Sequence, residues 1–466
     1  MKKIVQLLVI TFILVVSGSH LAAQSFKVPA FEKFKLKNGL TVYLVEQHEV
    51  PVISVSVILP AGAIYDGEKS GLASLTATAL KHGTKNFSRE ILDEELDFLG
   101  ASISTSASKE AASLSARMAS KDRNKVLNLV KEILLEPSFD PEEFDKEKKR
   151  LLVSLEQQKE SPRSVISSYF DKFMYGDHVY GNIIQGKIET VTPITVAEVK
   201  KFYSENYIPE GSAIAIAGDF STAEMKNTIS NLFSGWKKAT KPQVNLASKP
   251  ISTPTRNRVL LVNKEDARET TFYIGAPGIS RNNPDFVSIE VINTLFGGRF
   301  TSMLNDELRV NTGLTYGANS RFNALKNAGT FHISTFTANK TTEPAIDKAL
   351  EVLNNLHTNG IDETSLTSAK NYVKGLFPPR YETAGQLAGL MTQMFWYNFD
   401  ESFINNFEKN VDGLTLDKAK AIIAKYFPKD KLQFVLIGKS EEIKKIAEKY
   451  GPVTEVQIKE EVKKAF

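Results

Sequence analysis

One structural plan occurs twice in the chain, and this repetition restricts the fold more than any other feature of the sequence. Residues 193–220 and 413–440 each contain a helical pattern that opens at a Thr and is followed by a Tyr, a Pro, a β-rich run and a Gly. The two opening residues, Thr195 and Thr415, lie 220 positions apart. Such a spacing indicates that the chain consists of two related halves.

A second pair of similar segments lies upstream, at residues 41–62 and 258–278. One match of this kind arises by chance between αβ units, whereas two matches at nearly the same offset favour duplication. Each segment predicts a pair of strands, and in the first segment Ile53, Val55 and Val57 carry the alternation of a half-buried strand.

Helices follow the predicted strands. Ser88 stands before an amphipathic run and predicts an N-cap, with Gly100 as the C-terminal stop of that helix. Asp140, Pro141 and Glu143 predict another helix start, with a capping box. Because strands and helices are segregated, we predict an α+β fold of two homologous lobes, each a largely antiparallel sheet with helices packed on it.

Composition and pattern divide the chain into five parts. We predict a signal peptide at residues 1–24, an N-terminal lobe at 30–236, a linker at 237–257, a C-terminal lobe at 258–450 and a tail at 451–466. The linker prediction rests on three prolines and on scattered polar residues that have no apolar period. With 466 residues, the chain is long enough to build two cores.

The first residues have the pattern of an export signal. Two lysines precede an apolar run from Ile4 to Val16, and small residues follow up to Ala23. The run is shorter than the ~20 residues that a membrane-spanning helix needs, and an uncleaved membrane anchor is the alternative interpretation. We therefore expect an exported protein of the periplasm, cleaved near Ala23 or Gln24, and we predict no later transmembrane segment.

Charge and residue types exclude several functions. The 58 Lys and Arg are balanced by 54 Asp and Glu, so no basic stripe of the kind that binds nucleic acid stands out. The sequence has no Cys and therefore no thiol nucleophile and no disulfide framework. No two of the six His lie three or four residues apart, which excludes a local helical metal motif. A metal site assembled from distant residues stays open at this point.

Arg309 and Tyr316 are the first candidates for a binding site. Gly313 permits a turn between them and Tyr316 is predicted to open a strand, so both side chains can lie on one side of the turn. Arg presents a planar fork of donors and Tyr a hydroxyl, and neither side chain has a pKa suited to a base near neutrality. The pair suits binding rather than proton abstraction. The alternative interpretation is a charge at a helix end and a surface tyrosine on a strand.

Several stretches of the chain together resemble the pitrilysin/insulinase metallopeptidases, over residues 32–450. Besides the paired halves, they are NGLTVYLVE, DGEKSGLASL, KHGTKNFS, GASISTSASKE and LRVNTGLTY. That family also includes the mitochondrial processing peptidase and core subunits of a respiratory complex. The resemblance implies that a two-lobed chain of this kind forms half of a clamshell.

Active members of that family have a helix of the form Gly-x-Ala-His-x-x-Glu-His. Laid on GLASLTATALKHGT without a gap, this form places Ser74 and Thr78 at the two His ligands and Ala77 at the general-base Glu. The third ligand, a Glu further along the chain, corresponds to Ser154. The resemblance therefore implies that this chain binds no metal or other cofactor of its own and has no general base.

In the second half, Arg309 and Tyr316 stand at the places of the family's substrate-binding pair. Nearby, Met303 and Val310 replace an Arg and a Glu that the family often has. The resemblance implies a non-catalytic subunit that binds peptide substrates for an exported heterodimeric zinc peptidase, whose zinc and base belong to a related partner chain. The alternative is a stand-alone peptide-binding or scaffold protein with the same fold and no peptidase activity.

Overall fold

The computed structural model describes residues 26–239, 244 and 246–458, and the predicted signal peptide at 1–24 lies outside them. The described chain forms two six-stranded sheets, one from each half of the sequence. Helices pack on both sheets, which confirms the predicted two-lobed α+β fold. None of the helices in the described chain is long and apolar enough to cross a membrane.

The first sheet is built from the N-terminal half. Its strands are β1 (Glu32–Lys35), β2 (Thr41–Glu46), β3 (Val52–Leu59), β4 (Ser102–Ala107), β5 (Ala112–Ala119) and β6 (Ala213–Gly218). Their spatial order is β1-β2-β6-β3-β5-β4, so β4 lies at one edge. Among the described strands of this sheet, only the β2–β6 pairing is parallel, and β6 is reached by a long crossover that contains most of the helices of the lobe.

The second sheet repeats this arrangement. Its strands are β7 (Arg258–Asn263), β8 (Glu269–Pro277), β9 (Asn319–Ala324), β10 (Gly329–Ala338), β11 (Gln433–Gly438) and β12 (Val453–Gln457). The order is β12-β7-β11-β8-β10-β9, with β9 at the edge that corresponds to β4. Strand β11 pairs in parallel with β7, as β6 does with β2, and both sheets are largely antiparallel.

The helices of each half follow the same plan. Those of the first half are α1 (Leu72–Ala79), α2 (Arg89–Phe98), α3 (Arg123–Leu135), α4 (Pro141–Gln158), α5 (Pro162–Tyr175), α6 (Ile188–Val191), α7 (Val196–Asn206) and α8 (Thr222–Phe233). Those of the second half are α9 (Phe286–Asn293), α10 (Met303–Asn305), α11 (Thr342–Thr358), α12 (Glu363–Gly375), α13 (Ala384–Tyr397), α14 (Glu401–Asn405), α15 (Phe407–Asp412), α16 (Leu416–Tyr426) and α17 (Ser440–Ala447). Two π-helical segments, Thr294–Gly298 and Asp306–Asn311, flank α10. Short 3-10 helices occur at Ala63–Tyr65, Ser120–Asp122, Val179–Gly181, Leu246–Ser248, Asn339–Thr341 and Pro378–Tyr381.

The caps that start these helices agree with the sequence in most places. Thr195 and Thr415 both cap a helix with their hydroxyls, as the repeat predicts. The Ser88 hydroxyl accepts from an amide of α2, and the Asp140 carboxylate accepts from two amides of α4. The predicted capping box at Glu143 differs, because that carboxylate binds Arg89 and Lys146.

One helix of each lobe packs on the sheet of the other lobe. Helix α5 of the first half packs on β8 and β11, while α13 of the second half packs on β3 and β6. At the first contact, the Phe170 ring lies 5.6 Å from the rings of Tyr273 and His332. At the second contact, the hydroxyls of Ser56 and Thr392 are 3.0 Å apart. The exchange covers both faces of the central strands, which explains why every residue of β6 and β11 is buried.

The end of the chain differs from the predicted division. Residues 451–466 were assigned to a tail, but β12 within them pairs in parallel with β7 and forms an edge of the second sheet. The second lobe therefore extends beyond residue 450, up to at least Ile458, whose amide bonds to the Asn263 carbonyl. Because the run from 453 to 457 has no clear apolar alternation, only its pairing partner makes it a strand.

Candidate functional site

Helix α1 carries three of the four positions that the resemblance assigns to metal chemistry. It starts at Gly71, whose φ of 102° is a conformation that glycine adopts without strain. Ser74 and Thr78 are half-buried on one face, and the Thr78 hydroxyl donates to the Ser74 carbonyl over 3.1 Å. Ala77 is completely buried, which leaves no room for a larger side chain without movement of its neighbours.

A buried carboxylate fixes the start of this helix. Asp66 accepts hydrogen bonds from the amides of Gly71 and Ala73, at 2.9 and 2.7 Å. Burial raises the pKa of Asp66 to about 8, although both amide bonds act in the opposite direction. The carboxyl group thus fixes the start of the helix. Its two oxygens accept from backbone amides, and it makes no hydrogen bond to Ser74 or Thr78 in the described chain.

Ser154 completes the set from the neighbouring helix α4, which packs against α1. Its hydroxyl accepts from the Gln158 amide over 3.3 Å, and the same amide donates to the Gln185 side chain over 3.0 Å. Both glutamines also line a cavity of about 390 Å³ between α4, α5 and α6. Amides and hydroxyls therefore occupy the place that the resemblance assigns to a carboxylate ligand.

The residues at this place do not fit a zinc ion. Zinc sites in proteins use three or four His, Cys or carboxylate ligands, whereas Ser74, Thr78 and Ser154 supply protonated hydroxyls. Among the described residues, no group of three or more His, Cys, Asp or Glu is arranged to hold a metal ion. The arrangement in the first lobe offers hydrogen bonds but neither a Lewis acid nor a base.

The second candidate region lies in the other lobe, between α9 and β9. Leu308 is buried and anchors the π-helical segment, while the next residue, Arg309, extends toward the surface. The Arg309 guanidinium carbon lies 4.6 Å from the centre of the Phe300 ring. Within the described chain, the half-buried Arg309 side chain makes no hydrogen bond or salt bridge, so its guanidinium donors have no partner in the protein.

Tyr316 lies in the connection that follows, and its predicted place in a strand is wrong. Strand β9 starts only at Asn319, because the chain first turns at Gly313, with a φ of 63°. The Leu308 carbonyl accepts from the amides of Leu314 and Thr315, which ties this connection to the helical segment that carries Arg309. Tyr316 itself is 81% exposed, so its hydroxyl is presented to solvent.

Polar side chains beneath the connection hold it in one conformation. The Thr335 hydroxyl of β10 bonds to the Thr315 hydroxyl at 3.0 Å and donates to the Gly317 carbonyl at 2.8 Å. The Thr337 hydroxyl donates to the Leu314 carbonyl. The Tyr316 side chain is thus exposed, while hydrogen bonds from β10 hold its backbone. Binding of a ligand would therefore cost little conformational entropy of the backbone.

Hydrogen bonds to the Leu308 carbonyl tie the connection that carries Tyr316 to the segment that carries Arg309. In the first lobe, α1 packs on α4, with Ser74, Thr78 and Ser154 half-buried and Ala77 buried. No hydrogen bond or salt bridge in the described chain links the two surfaces. Sequence reasoning missed Phe300 and Asn305, although a large aromatic shortly after the adjacent glycines Gly297 and Gly298 was a visible signal.

The fold is that of a two-lobed α+β chain, and the positions that the resemblance assigns to metal ligands and base carry hydroxyls and a methyl group. Comparison with protein families agrees: the family described as Insulinase (Peptidase family M16) matches residues 41–187, and Peptidase M16 inactive domain matches residues 193–373. The chain belongs to the M16, or insulinase, peptidase family.

Two relatives from bacteria carry contrasting names. The uncharacterized zinc protease YmxG of Bacillus subtilis is 21% identical over 345 residues, which are 74% of this chain and 83% of that protein. The non-peptidase homolog YmxG of Helicobacter pylori is 22% identical over 390 residues, which are 80% of this chain and 89% of that protein. The family thus contains chains that are named as peptidases and chains that are named as lacking this activity.

Solved structures have the same fold. A peptidase M16 inactive domain from Pseudomonas fluorescens superposes with a TM-score of 0.82 and 26% identity, over 88% of this chain and 98% of that chain. The periplasmic protease PqqL from Escherichia coli superposes with a TM-score of 0.76 and 14% identity, over 89% of this chain and 46% of that chain. The PqqL similarity shows the fold alone, and this chain spans about half of its length.

Proposed function

We propose that this chain is the non-catalytic, substrate-binding subunit of an exported heterodimeric zinc peptidase that acts on peptides. The observation that carries the proposal is the contrast between the two surfaces. Hydroxyls and a methyl group stand at the ligand and base positions of α1 and α4, whereas Arg309 and Tyr316 are presented on a rigid frame with free donors. The name of the Helicobacter pylori relative, a non-peptidase homolog, supports the absence of catalysis by the chain alone.

In this proposal the two chains divide the reaction between them. A related M16 chain with a His-x-x-Glu-His helix supplies the zinc ion, the base and the water molecule. The Tyr316 hydroxyl donates a hydrogen bond to the substrate carbonyl and to the oxyanion that develops from it, while the Arg309 fork holds nearby backbone carbonyls. A preorganised donor of this kind is worth ~3 kcal/mol in the barrier.

The test is co-expression with a related chain that contains the zinc motif, followed by peptide hydrolysis. Tyr316→Phe removes one donor and keeps the ring, and we expect kcat/KM of the pair to fall roughly 10²-fold. Arg309→Ala should cause a loss of similar size, whereas Tyr372→Phe, at a half-exposed tyrosine of α12, should leave kcat/KM unchanged.

Other results would contradict the proposal. Peptide hydrolysis by the pair that is insensitive to both Tyr316→Phe and Arg309→Ala would remove the assigned role. Stoichiometric zinc and peptide cleavage by this chain alone would remove the division between subunits. A chain that binds peptides but yields no hydrolysis with any zinc-bearing M16 partner would instead support the stand-alone binding protein.

The proposal also places the protein outside the cytoplasm. The lysines and the apolar run up to Val16 have the pattern of an export signal, and one structural neighbour is a periplasmic protease. N-terminal sequencing of the protein from a periplasmic fraction should give a start directly after Ala23 or Gln24. Recovery of the protein in the cytoplasm with Met1 retained would contradict export.

A further inference from the structure

Exposed apolar side chains are concentrated around Arg309. Phe300 and Val310 are each 65% exposed and Tyr316 is 81% exposed, although large apolar side chains elsewhere in the described chain are mostly buried. The three residues lie within 17 positions of sequence. Phe300 is in spatial contact with Arg309, whose guanidinium carbon lies 4.6 Å from the ring centre, and exposed apolar surface of this kind is typical of binding sites. We call Phe300, Arg309, Val310 and Tyr316 the apolar patch.

The apolar patch has a defined shape because buried Asn305 connects its two sides. The Asn305 amide nitrogen donates to the Phe300 carbonyl over 2.7 Å, and its oxygen accepts from the Ala318 amide over 3.2 Å. One side chain that is 4% exposed thus fixes the backbone at Phe300 and the connection that carries Tyr316. On the far side of Phe300, Arg299 donates to the Ser368 hydroxyl over 3.0 Å, which anchors this segment to α12.

The chemistry of the apolar patch matches one kind of occupant. The Arg309 guanidinium lies over the Phe300 ring, which leaves the edge of its donor fork free and orients it by a cation–π contact. Donors beside an exposed aromatic ring fit a ligand that presents carbonyl oxygens and an apolar side chain within a few ångströms. An extended peptide has this combination, because backbone carbonyls and side chains alternate along it.

We propose that Phe300 determines substrate specificity by receiving a large apolar side chain of the peptide, adjacent to the carbonyl that Arg309 and Tyr316 bind. The substrate class is therefore peptides with Phe, Leu or a similar residue at that position. This inference deepens the proposed function and rests on its peptide-binding part.

The test measures discrimination between peptides rather than affinity alone. A series of fluorescently labelled peptides of equal length carries Phe, Leu, Ser or Glu at one position, with the position scanned along the peptide, and binding to the chain alone is followed by anisotropy. At one position the chain should bind Phe roughly tenfold more tightly than Ser, as burial of an aromatic side chain predicts. Phe300→Ala should reduce this ratio to about twofold, and Phe300→Leu should give an intermediate ratio.

A matched control is available in the first lobe. Phe98 is a similarly exposed phenylalanine, at 85%, with the Lys125 ammonium 5.9 Å from its ring. Phe98→Ala should leave the Phe-to-Ser ratio unchanged, which separates a local effect from general loss of exposed apolar surface. If Phe300→Ala weakens all peptides equally, or if the ratio persists in that variant, Phe300 does not determine specificity.

Two further outcomes separate this inference from the proposed function. Suppose that the pair with a zinc-bearing partner cleaves peptides and loses activity with Tyr316→Phe, but that Phe300→Ala leaves the Phe-to-Ser preference unchanged. The inference then fails and the proposed function stands. If no partner yields hydrolysis but the Phe300-dependent ratio is present in binding, the specificity role stands and the peptidase role fails. Weakened association of Phe300→Ala with the partner in the absence of peptide would assign the apolar patch to a subunit contact and overturn the inference.

Discussion

The two lobes differ in the connection that leads into the edge strand, which is β4 in the first lobe and β9 in the second. In the first lobe, Gly100 turns the chain with a φ of 56° and β4 begins at Ser102. In the second lobe, Gly313 turns the chain with a φ of 63°, but β9 begins only at Asn319. The longer connection carries Tyr316. The two lobes thus share a sheet plan, while the connection in the second lobe is longer and presents Tyr316 to solvent.

The helices before these connections also differ. In the first lobe, α1 and α2 are regular α-helices, and the hydroxyl of Thr78 bonds within its own helix. In the second lobe, two π-helical segments surround α10, and such segments are frequent at functional sites. The first lobe therefore keeps regular helices around Ser74 and Thr78, whereas the second lobe has irregular helical segments around Arg309.

The largest expected change comes from giving the first lobe the ligands of the active relatives. Ser74→His, Thr78→His and Ser154→Glu place two imidazoles on one helix face and a carboxylate on the neighbouring helix, while buried Ala77 is left unchanged. We expect this triple variant to bind one zinc ion per chain and the natural chain to bind none, as measured by elemental analysis after gel filtration. A variant with only the two His substitutions is the control and should bind zinc far more weakly. A folded triple variant without zinc would show that α1 and α4 no longer have the geometry of a metal site.

A second test compares buried titratable groups, beginning with Asp66 in the first lobe. Burial raises the pKa of Asp66 from 3.8 to about 8, so the unfolded chain releases this proton at a lower pH than the folded chain does. The free energy of unfolding should therefore fall as pH rises from about 4 to 8. Asp66→Asn should remove this slope, although loss of one accepted amide bond lowers stability at every pH. Denaturant unfolding at several pH values checks this, and an unchanged slope in the variant would contradict it.

His332 in the second lobe should give a pH dependence of the opposite sign. Burial lowers the pKa of His332 from 6.5 to about 4, so the unfolded chain binds this proton first as pH falls. Stability is complete above pH 6.5 and should be lost toward pH 4, by about 3 kcal/mol. His332→Phe keeps a ring against Tyr273 and should flatten the acid side of the curve. Asp66→Asn serves as the control, because it should keep that acid loss.

The smallest change in stability is expected from removing single hydroxyls that hydrogen-bond to the backbone near the two candidate regions. Thr335→Val removes the hydroxyl that bonds to Thr315 and Gly317, and we expect it to reduce the free energy of unfolding by ~1–2 kcal/mol and to weaken peptide binding. Thr78→Val, which removes a hydroxyl from the surface in the first lobe, should change stability by less than ~0.5 kcal/mol and leave binding unchanged. If thermal unfolding and anisotropy show equal effects of the two substitutions, the Thr335 hydrogen bonds do not hold the connection that carries Tyr316 in a binding conformation.

Much of the fold was predictable because its signals are local. The caps at Ser88 and Asp140 depend on residues within one helical turn, and the repeat at Thr195 and Thr415 is visible as spacing. Two local predictions were wrong for one reason. Glu143 binds side chains from another helix turn and from α2, and Tyr316 is held out of the strand by β10, so tertiary partners replaced the local alternative.

The candidate site was predictable only in part. Arg309, Tyr316 and the altered positions of α1 could be found by alignment with a pattern, because their identities decide what chemistry they can do. The roles of Phe300 and Asn305 could not be found in this way. Phe300 was selected because its ring is exposed and contacts the Arg309 guanidinium. Asn305 was selected because its side-chain amide bonds to two segments. Both contacts can be seen only in the coordinates.

The amino-acid sequence was sufficient to predict two related α+β halves, and it places hydroxyls and a methyl group at the positions that the resemblance assigns to metal ligands and base. Both follow from residue types and their spacing along the chain. The coordinates were needed to show that the halves exchange α5 and α13, that β12 completes the second sheet, and that the Leu308 carbonyl ties the connection carrying Tyr316 to the segment carrying Arg309. These features depend on contacts between residues far apart in sequence, where the free energy of burial and of buried hydrogen bonds outweighs local preference.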